Sequence, residues 1–215
     1  MKIYIDSADV SAIQECFDTE LIDGVTTNPT LIRKSGRHPH DVYNELKLMG
    51  IKDISMEVTG GTSDMLEQAH ELLDLYGDKV TTVKVPMSKD GLAACRELSR
   101  DGVRVNVTLI FCAAQAILAA KSGATYVSPF IGRLDDQSVA GLEVVRSISE
   151  LFRIHRVSTK VLAASIRSVQ RVVRSYYNGA EIVTMPPEIF HKMYNHILTD
   201  KGLDIFQADI DAGVS

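Results

Sequence analysis

Runs in which apolar and polar positions alternate recur along this chain, and each is followed by a stretch with helical spacing. The alternation predicts strands over residues 3–6, 24–28, 54–58, 80–85, 104–110, 126–130, 160–165 and 182–186. Helices are predicted between them. One covers residues 10–17, and another starts near Ser63 with Leu66, Ala69, Leu73 and Tyr76 on one face. Later ones present Leu92, Cys95 and Leu98, then Ala113, Ala116, Ile117 and Ala120, then Leu142, Val145, Ile148 and Phe152, then Val169, Val172, Val173 and Tyr176. The helical stretch after the second strand is broken by Gly36 and Pro39 before it resumes over residues 42–48, and a last helix runs from Pro187 to about His196. Eight strand–helix units in 215 residues predict one α/β domain closed as a (β/α)8 TIM barrel rather than a doubly wound sheet. An extra C-terminal helical segment, residues 199–215, lies outside the eighth unit.

The two-residue period also assigns faces, because alternate residues of a barrel strand point inward. With the strongest apolar positions turned to the helices, the inward set is Tyr4 and Asp6, Thr26 and Asn28, Ser55 and Glu57, Thr82 and Lys84, Asn106 and Thr108, Ser128 and Phe130, and Ala163 and Ser165. Leu109, Leu162 and Ala164 are read as outward. Most inward series end on a polar or ionisable residue, at the end of the barrel where enzymes of this fold place their chemistry. The stretch from Val80 to Leu92 is the most informative. Lys84 stands between Val83 and Val85, so burial would disfavour its ammonium form and free a nucleophilic amine for Schiff-base chemistry. Two quieter readings fit the same residues: a strand-end lysine reaching out to water, or a structural ion pair of Lys84 with Asp6 or Glu57. Pro86 reads as the end of the ladder, and Ser88 with Asp90 as an N-cap and an acidic first turn.

Composition narrows the function classes. Charged residues make up 24% and hydrophobic ones 45%, as in an ordinary soluble domain. A net charge of −5 without a basic cluster argues against nucleic acid as a partner. No apolar run reaches membrane-spanning length, and Asp6 falls too early for a secretory signal, so no membrane association is expected. Cys16, Cys95 and Cys112 are few and far apart, which suggests a reducing cytoplasm over a disulfide framework. The histidines lack metal-ligand spacing. His38-Pro39-His40 reads as a loop, Gly60-Gly61 as a plain turn, and Arg153/Arg156 and Arg171/Arg174 as solvated helix faces.

Several motifs now converge. Gly24-Val25-Thr26-Thr27-Asn28-Pro29-Thr30-Leu31 resembles the first signature of the transaldolase family, and Val83-Lys84-Val85-Pro86-Met87-Ser88-Lys89-Asp90-Gly91-Leu92 resembles that family's active-site signature. Asn106-Val107-Thr108-Leu109-Ile110-Phe111, Ser128-Pro129-Phe130-Ile131-Gly132-Arg133 and Ala163-Ala164-Ser165-Ile166-Arg167 are similar to three further family blocks, in order. The short length is similar to the small transaldolase and fructose-6-phosphate aldolase branch.

The resemblance implies a role for each matching residue. Lys84 would form the imine with a ketose carbonyl, and Asp6 would take and return the hydroxyl proton during carbon–carbon cleavage and condensation. Glu57 and Thr108 would hold the water that relays protons. Asn28 and Asn106 would hydrogen-bond the dihydroxyacetone hydroxyls, Ser128 would be a further substrate contact, Phe130 would line the site, and Thr27 of the first signature would belong with the substrate-binding residues. Arg133, Ser165 and Arg167 would bind phosphate, to which guanidinium groups are geometrically suited. The implied activity moves a dihydroxyacetone unit between sugar phosphates in the pentose phosphate pathway, in the cytoplasm, with no metal or organic cofactor. A near alternative is a fructose-6-phosphate aldolase, whose branch has a glutamine and a tyrosine where this chain has Glu57 and Phe130. A barrel that binds sugar phosphates without catalysis is the alternative from another class. Similar small members form homo-oligomers, pentamers or decamers, with the tail on a neighbouring subunit.

Overall fold

The computed structural model describes residues 1–213, so residues 214–215 of the expected tail lie outside the described residues. Parallel strands Lys2–Asp6 (β1), Gly24–Thr26 (β2), Ile54–Glu57 (β3), Thr81–Pro86 (β4), Val105–Ile110 (β5), Tyr126–Pro129 (β6), Lys160–Ala163 (β7) and Ile182–Met185 (β8) pair in chain order. β8 returns to β1, which closes the barrel. The helices that cover it are Val10–Phe17 (α1), Pro29–Ser35 (α2), Pro39–Met49 (α3), Thr62–Tyr76 (α4), Lys89–Arg100 (α5), Ala113–Lys121 (α6), Ile131–Asp136 (α7), Gly141–Ile154 (α8), Val169–Tyr177 (α9) and Pro187–Lys192 (α10). Ile197–Asp211 (α11) follows. Among the described residues no helix is long and apolar enough to cross a membrane.

The outward residues of the strands and the inner faces of the helices form one apolar layer around the barrel. A second, smaller cluster of Tyr4, Tyr126, Leu162, Ala164 and Ile182 fills the barrel interior, with Phe130 against it. Below it sits Asp53, which immediately precedes β3 and is 4% exposed. Its carboxylate accepts from Tyr4 Oη at 2.7 Å, Tyr126 Oη at 3.0 Å and Thr82 Oγ1 at 2.7 Å, and lies 3.1 Å from Arg104 Nη1. Burial and the nearby carboxylate push both phenols up from their ordinary pKa. Gly24 is required here, since a Cβ would come within 2.7 Å of the Asp53 carbonyl and 2.8 Å of the Tyr4 ring.

Several details depart from the alternation. On β7, Leu162 and Ala164 line the interior and Ala163 joins the outer layer, the reverse of the expected parity. Residues 161–164 are all apolar, so the phase rested on Ser165, which lies past the strand with φ of 59° and does not continue the alternation. On β5 the register shifts between Val107 and Ile110, and Leu109 has φ of 61°. Ile110 therefore takes the outward position expected of Leu109. Pro86 stays in the ladder opposite Thr108, whose carbonyl accepts instead from the Met87 N–H at 3.0 Å.

The helix faces shift in the same way. α4 buries Met65, Ala69, Leu72 and Tyr76, because adjacent apolar pairs leave the phase of the stripe open to rotation. α6 buries Ala116 and Ala119 and leaves Ile117 45% exposed, so small residues let it lie close to the strands. On α9 Val173 is likewise exposed. His38 caps α3, and Pro39 and His40 form its first turn rather than a loop. Arg171 is not simply solvated: its Nη2 lies 3.0 Å from Asp135 Oδ2 and ties α9 to α7.

Candidate active site

Strand pairing sets Glu57 opposite Lys84 and Lys84 opposite Asn106, so the ends of neighbouring strands present their inward side chains to one another. Lys84 is 4% exposed. Its Nζ lies 3.1 Å from Glu57 Oε2 and donates to the Thr27 carbonyl at 2.8 Å. Of the two quieter readings the strand-end lysine is set aside, while the ion pair with Glu57 is present. The amine does not reach water, and although it is paired, Asp6, Asn28, Asn106, Ser128 and Phe130 share its narrow cavity of about 10 Å³.

Asp6 accepts from Thr26 Oγ1 at 2.7 Å, and Thr26 Oγ1 is 2.7 Å from Thr184 Oγ1. Burial raises the Asp6 carboxyl above its ordinary pKa, with Glu57 adding to the rise, while Lys84 and the Thr26 hydrogen bond oppose it. Asn106 accepts from Ser128 Oγ at 2.7 Å through Oδ1, and its Nδ2 is 3.4 Å from Ser55 Oγ. Asn28 caps α2, its Oδ1 accepting from the Leu31 N–H at 3.0 Å, so its amide nitrogen remains available to the cavity. Thr108 Oγ1 is buried and has no hydrogen-bond partner among the described residues, a property it shares with Thr81 and Ser149. Thr27 meets the site through its backbone, since its hydroxyl turns away to the Ser55 carbonyl at 3.0 Å and Tyr43 Oη at 3.2 Å.

The three residues expected at phosphate lie together beyond the barrel mouth. Arg133 and Arg167 line one open cavity of about 630 Å³ with Phe111, Leu134, Asp136 and Gln137. Arg133 stacks over Phe130, its Cζ 4.9 Å from the ring centroid. Ser165 and Arg167 close over Gly132, whose N–H donates to the Ser165 carbonyl at 3.0 Å.

The sequence reading did not single out Thr184 or Asp136. Thr184 is a polar residue in the middle of an apolar strand, a signal that the two-residue period could have used. Asp136 left no such signal, since its partner Arg167 is brought to it only by the docking of α7 beside β7.

Fold and site together define a (β/α)8 barrel with a lysine–carboxylate centre at the C-terminal ends of its strands and a two-arginine cavity at its mouth. The chain belongs to the transaldolase/fructose-6-phosphate aldolase family, whose model matches residues 3–214. It is 48% identical over 213 residues to a protein of Ruegeria pomeroyi named "Probable transaldolase", covering 99% of this chain and 97% of that protein. Proteins of the same name from Paracoccus denitrificans and Chelativorans sp. are 48% and 44% identical, with 97% of this chain and 96% of each relative covered.

Proposed function

We propose that the protein is a transaldolase that moves a dihydroxyacetone unit from a ketose phosphate, fructose 6-phosphate or sedoheptulose 7-phosphate, to an aldose phosphate such as erythrose 4-phosphate or glyceraldehyde 3-phosphate. The observation that carries the reading is the contact of buried Lys84 with Glu57 beside Asp6, in a chain of this family. In this scheme the Lys84 amine adds to the ketose carbonyl carbon and its surplus proton passes toward Glu57. The carbinolamine then loses water to give the imine, with Thr108 and Glu57 holding that water. Asp6 takes the proton of the hydroxyl on the far carbon of the bond to be broken, so that this carbon becomes the aldehyde of the leaving aldose. That bond cleaves, the aldose phosphate leaves, and the three-carbon unit stays on Lys84 as an enamine. Addition of the enamine to the carbonyl of an incoming aldose forms the new bond, Asp6 returns its proton, and hydrolysis frees Lys84.

Asn28, Asn106 and Ser128 contribute donors and acceptors for the hydroxyls of the three-carbon unit. Arg133, Ser165 and Arg167 take the phosphate shared by donor and acceptor. No metal or organic cofactor enters this scheme. The chain works as a homo-oligomer in the cytoplasm, with the tail from residue 199 on a neighbouring subunit.

A coupled assay with fructose 6-phosphate tests the reading. Release of glyceraldehyde 3-phosphate should be slow alone and strongly accelerated by erythrose 4-phosphate. Equal rates with and without acceptor, with free dihydroxyacetone formed, would replace transfer by aldol cleavage. No product in either case would leave a binding barrel.

A further inference from the structure

The guanidinium of Arg167 is already engaged. Its Nη1 pairs with Asp136 Oδ1, and its Nη2 donates to Asp136 Oδ2 at 2.7 Å, a fork in which each nitrogen meets one carboxylate oxygen. Both side chains are open to water, at 56% and 47% exposure, so the pair adds little to the stability of the fold. What it does is fix direction. An arginine has five N–H donors, and this fork uses two of them at the outer edge of the group. The inner edge packs on Gly132, where a Cβ would come within 2.7 Å of Arg167 Nε and 2.9 Å of Ser165 Oγ. Nε and the Ser165 hydroxyl are thereby brought together beside Gly132, at the edge of the cavity that Arg167 and Arg133 line.

We propose that Asp136 is the positioning residue of the anion site: its fork fixes the Arg167 guanidinium beside Ser165 on the cavity that Arg133 lines, so that the donors the fork leaves free meet a phosphate. The proposal deepens the transaldolase reading and rests on its assignment of phosphate to these residues. An exposed arginine without a tether samples many rotamers, and each binding event must then order it. Asp136 takes that ordering out of the binding step. The same carboxylate also lowers the positive charge of the site, so the two effects oppose each other and a neutral replacement distinguishes them.

Asp136→Asn removes the carboxylate at constant size. KM for fructose 6-phosphate should rise three- to ten-fold while kcat changes less than KM, and KM for unphosphorylated fructose should move little. Asp136→Glu, which keeps a carboxylate, should recover most of the loss. In an Arg167→Ala background, Asp136→Asn should cause no further loss, because there is no guanidinium left to position and only the charge effect remains. Titration calorimetry of the full chain with inorganic phosphate reads the same site without turnover, and Asp136→Asn should weaken it by a similar factor. A KM and a phosphate affinity that stay unchanged or improve in Asp136→Asn would overturn the proposal. If the unaltered protein binds phosphate but turns over no sugar phosphate, the transaldolase reading fails while the calorimetry still judges Asp136.

Discussion

Glu57 Oε2 stands 3.1 Å from Lys84 Nζ, on adjacent strands that pair these two residues in register. The ladder brings the two backbones side by side, and the rotamers of the two side chains complete the contact. It places an acceptor for the lysine's proton in direct contact with the amine, closer than the water-mediated role that the family resemblance implied.

Borohydride added with fructose 6-phosphate should therefore trap a three-carbon adduct on the peptide that carries Lys84. Lys84→Met should abolish both the adduct and turnover, and Glu57→Gln should slow adduct formation by roughly 10²–10⁴-fold, the usual size of a general acid–base contribution. Mass spectrometry of the reduced protein decides the matter. An adduct on a different lysine ends the Schiff-base assignment, and an unslowed Glu57→Gln removes Glu57 from it.

Asp6 gives the pH dependence a sign. Its carboxyl is raised, chiefly by burial, so the acid limb of kcat/KM should lie above the usual aspartate range, and Thr26→Val should move it higher by deleting a hydrogen bond to the ionised form. Stability follows the same linkage. The fold favours protonated Asp6, a contribution fully present below the ordinary aspartate pKa and lost as pH rises through the raised one. The melting temperature of Asp6→Asn minus that of the unaltered protein should thus increase with pH across that window and then level off. A difference that falls with pH contradicts the raised value.

Partition between transfer and release tests the wall of the site. Phe130 offers no hydroxyl to orient a water, and Glu57 is an acid rather than an amide. Glu57→Gln combined with Phe130→Tyr should raise the ratio of free dihydroxyacetone to transferred product, measured by coupled assays in parallel. A ratio that stays put would separate these two positions from the choice of reaction.

Asp53 carries the closed end of the barrel. Removing a buried carboxylate that serves two phenols, a hydroxyl and a guanidinium leaves several polar groups without their partner. Asp53→Ala should cost about 3–5 kcal/mol in denaturant unfolding. A loss under ~1 kcal/mol would show that Arg104 and the tyrosines find other partners.

The tail is the remaining test. Leu203, Ile205, Phe206 and Ile210 on α11 are 59–69% exposed, and none of its described side chains is buried against the barrel. If the tail seats on a neighbouring subunit, a chain truncated after Thr199 should show a lower mass by light scattering than the full chain. An unchanged mass would leave the tail without a part in assembly.

The sequence alone determined the order of strands and helices, the barrel class, and the inward parity of Asp6, Glu57, Lys84, Asn106 and Ser128. Each of those residues lies on a strand where polar and apolar positions contrast, so a two-residue period has a definite phase. On β7 that contrast is missing, and only packing against Tyr4 and Tyr126 decided that Leu162 and Ala164 face inward. The bulge at Leu109 came from the β5–β6 register, which no local pattern announces. Asp53 and Asp136 were invisible for a related reason. Each looks like an ordinary polar residue at the edge of an element, and each acquires its meaning from partners 29–73 residues away that only the closed barrel brings within hydrogen-bond distance.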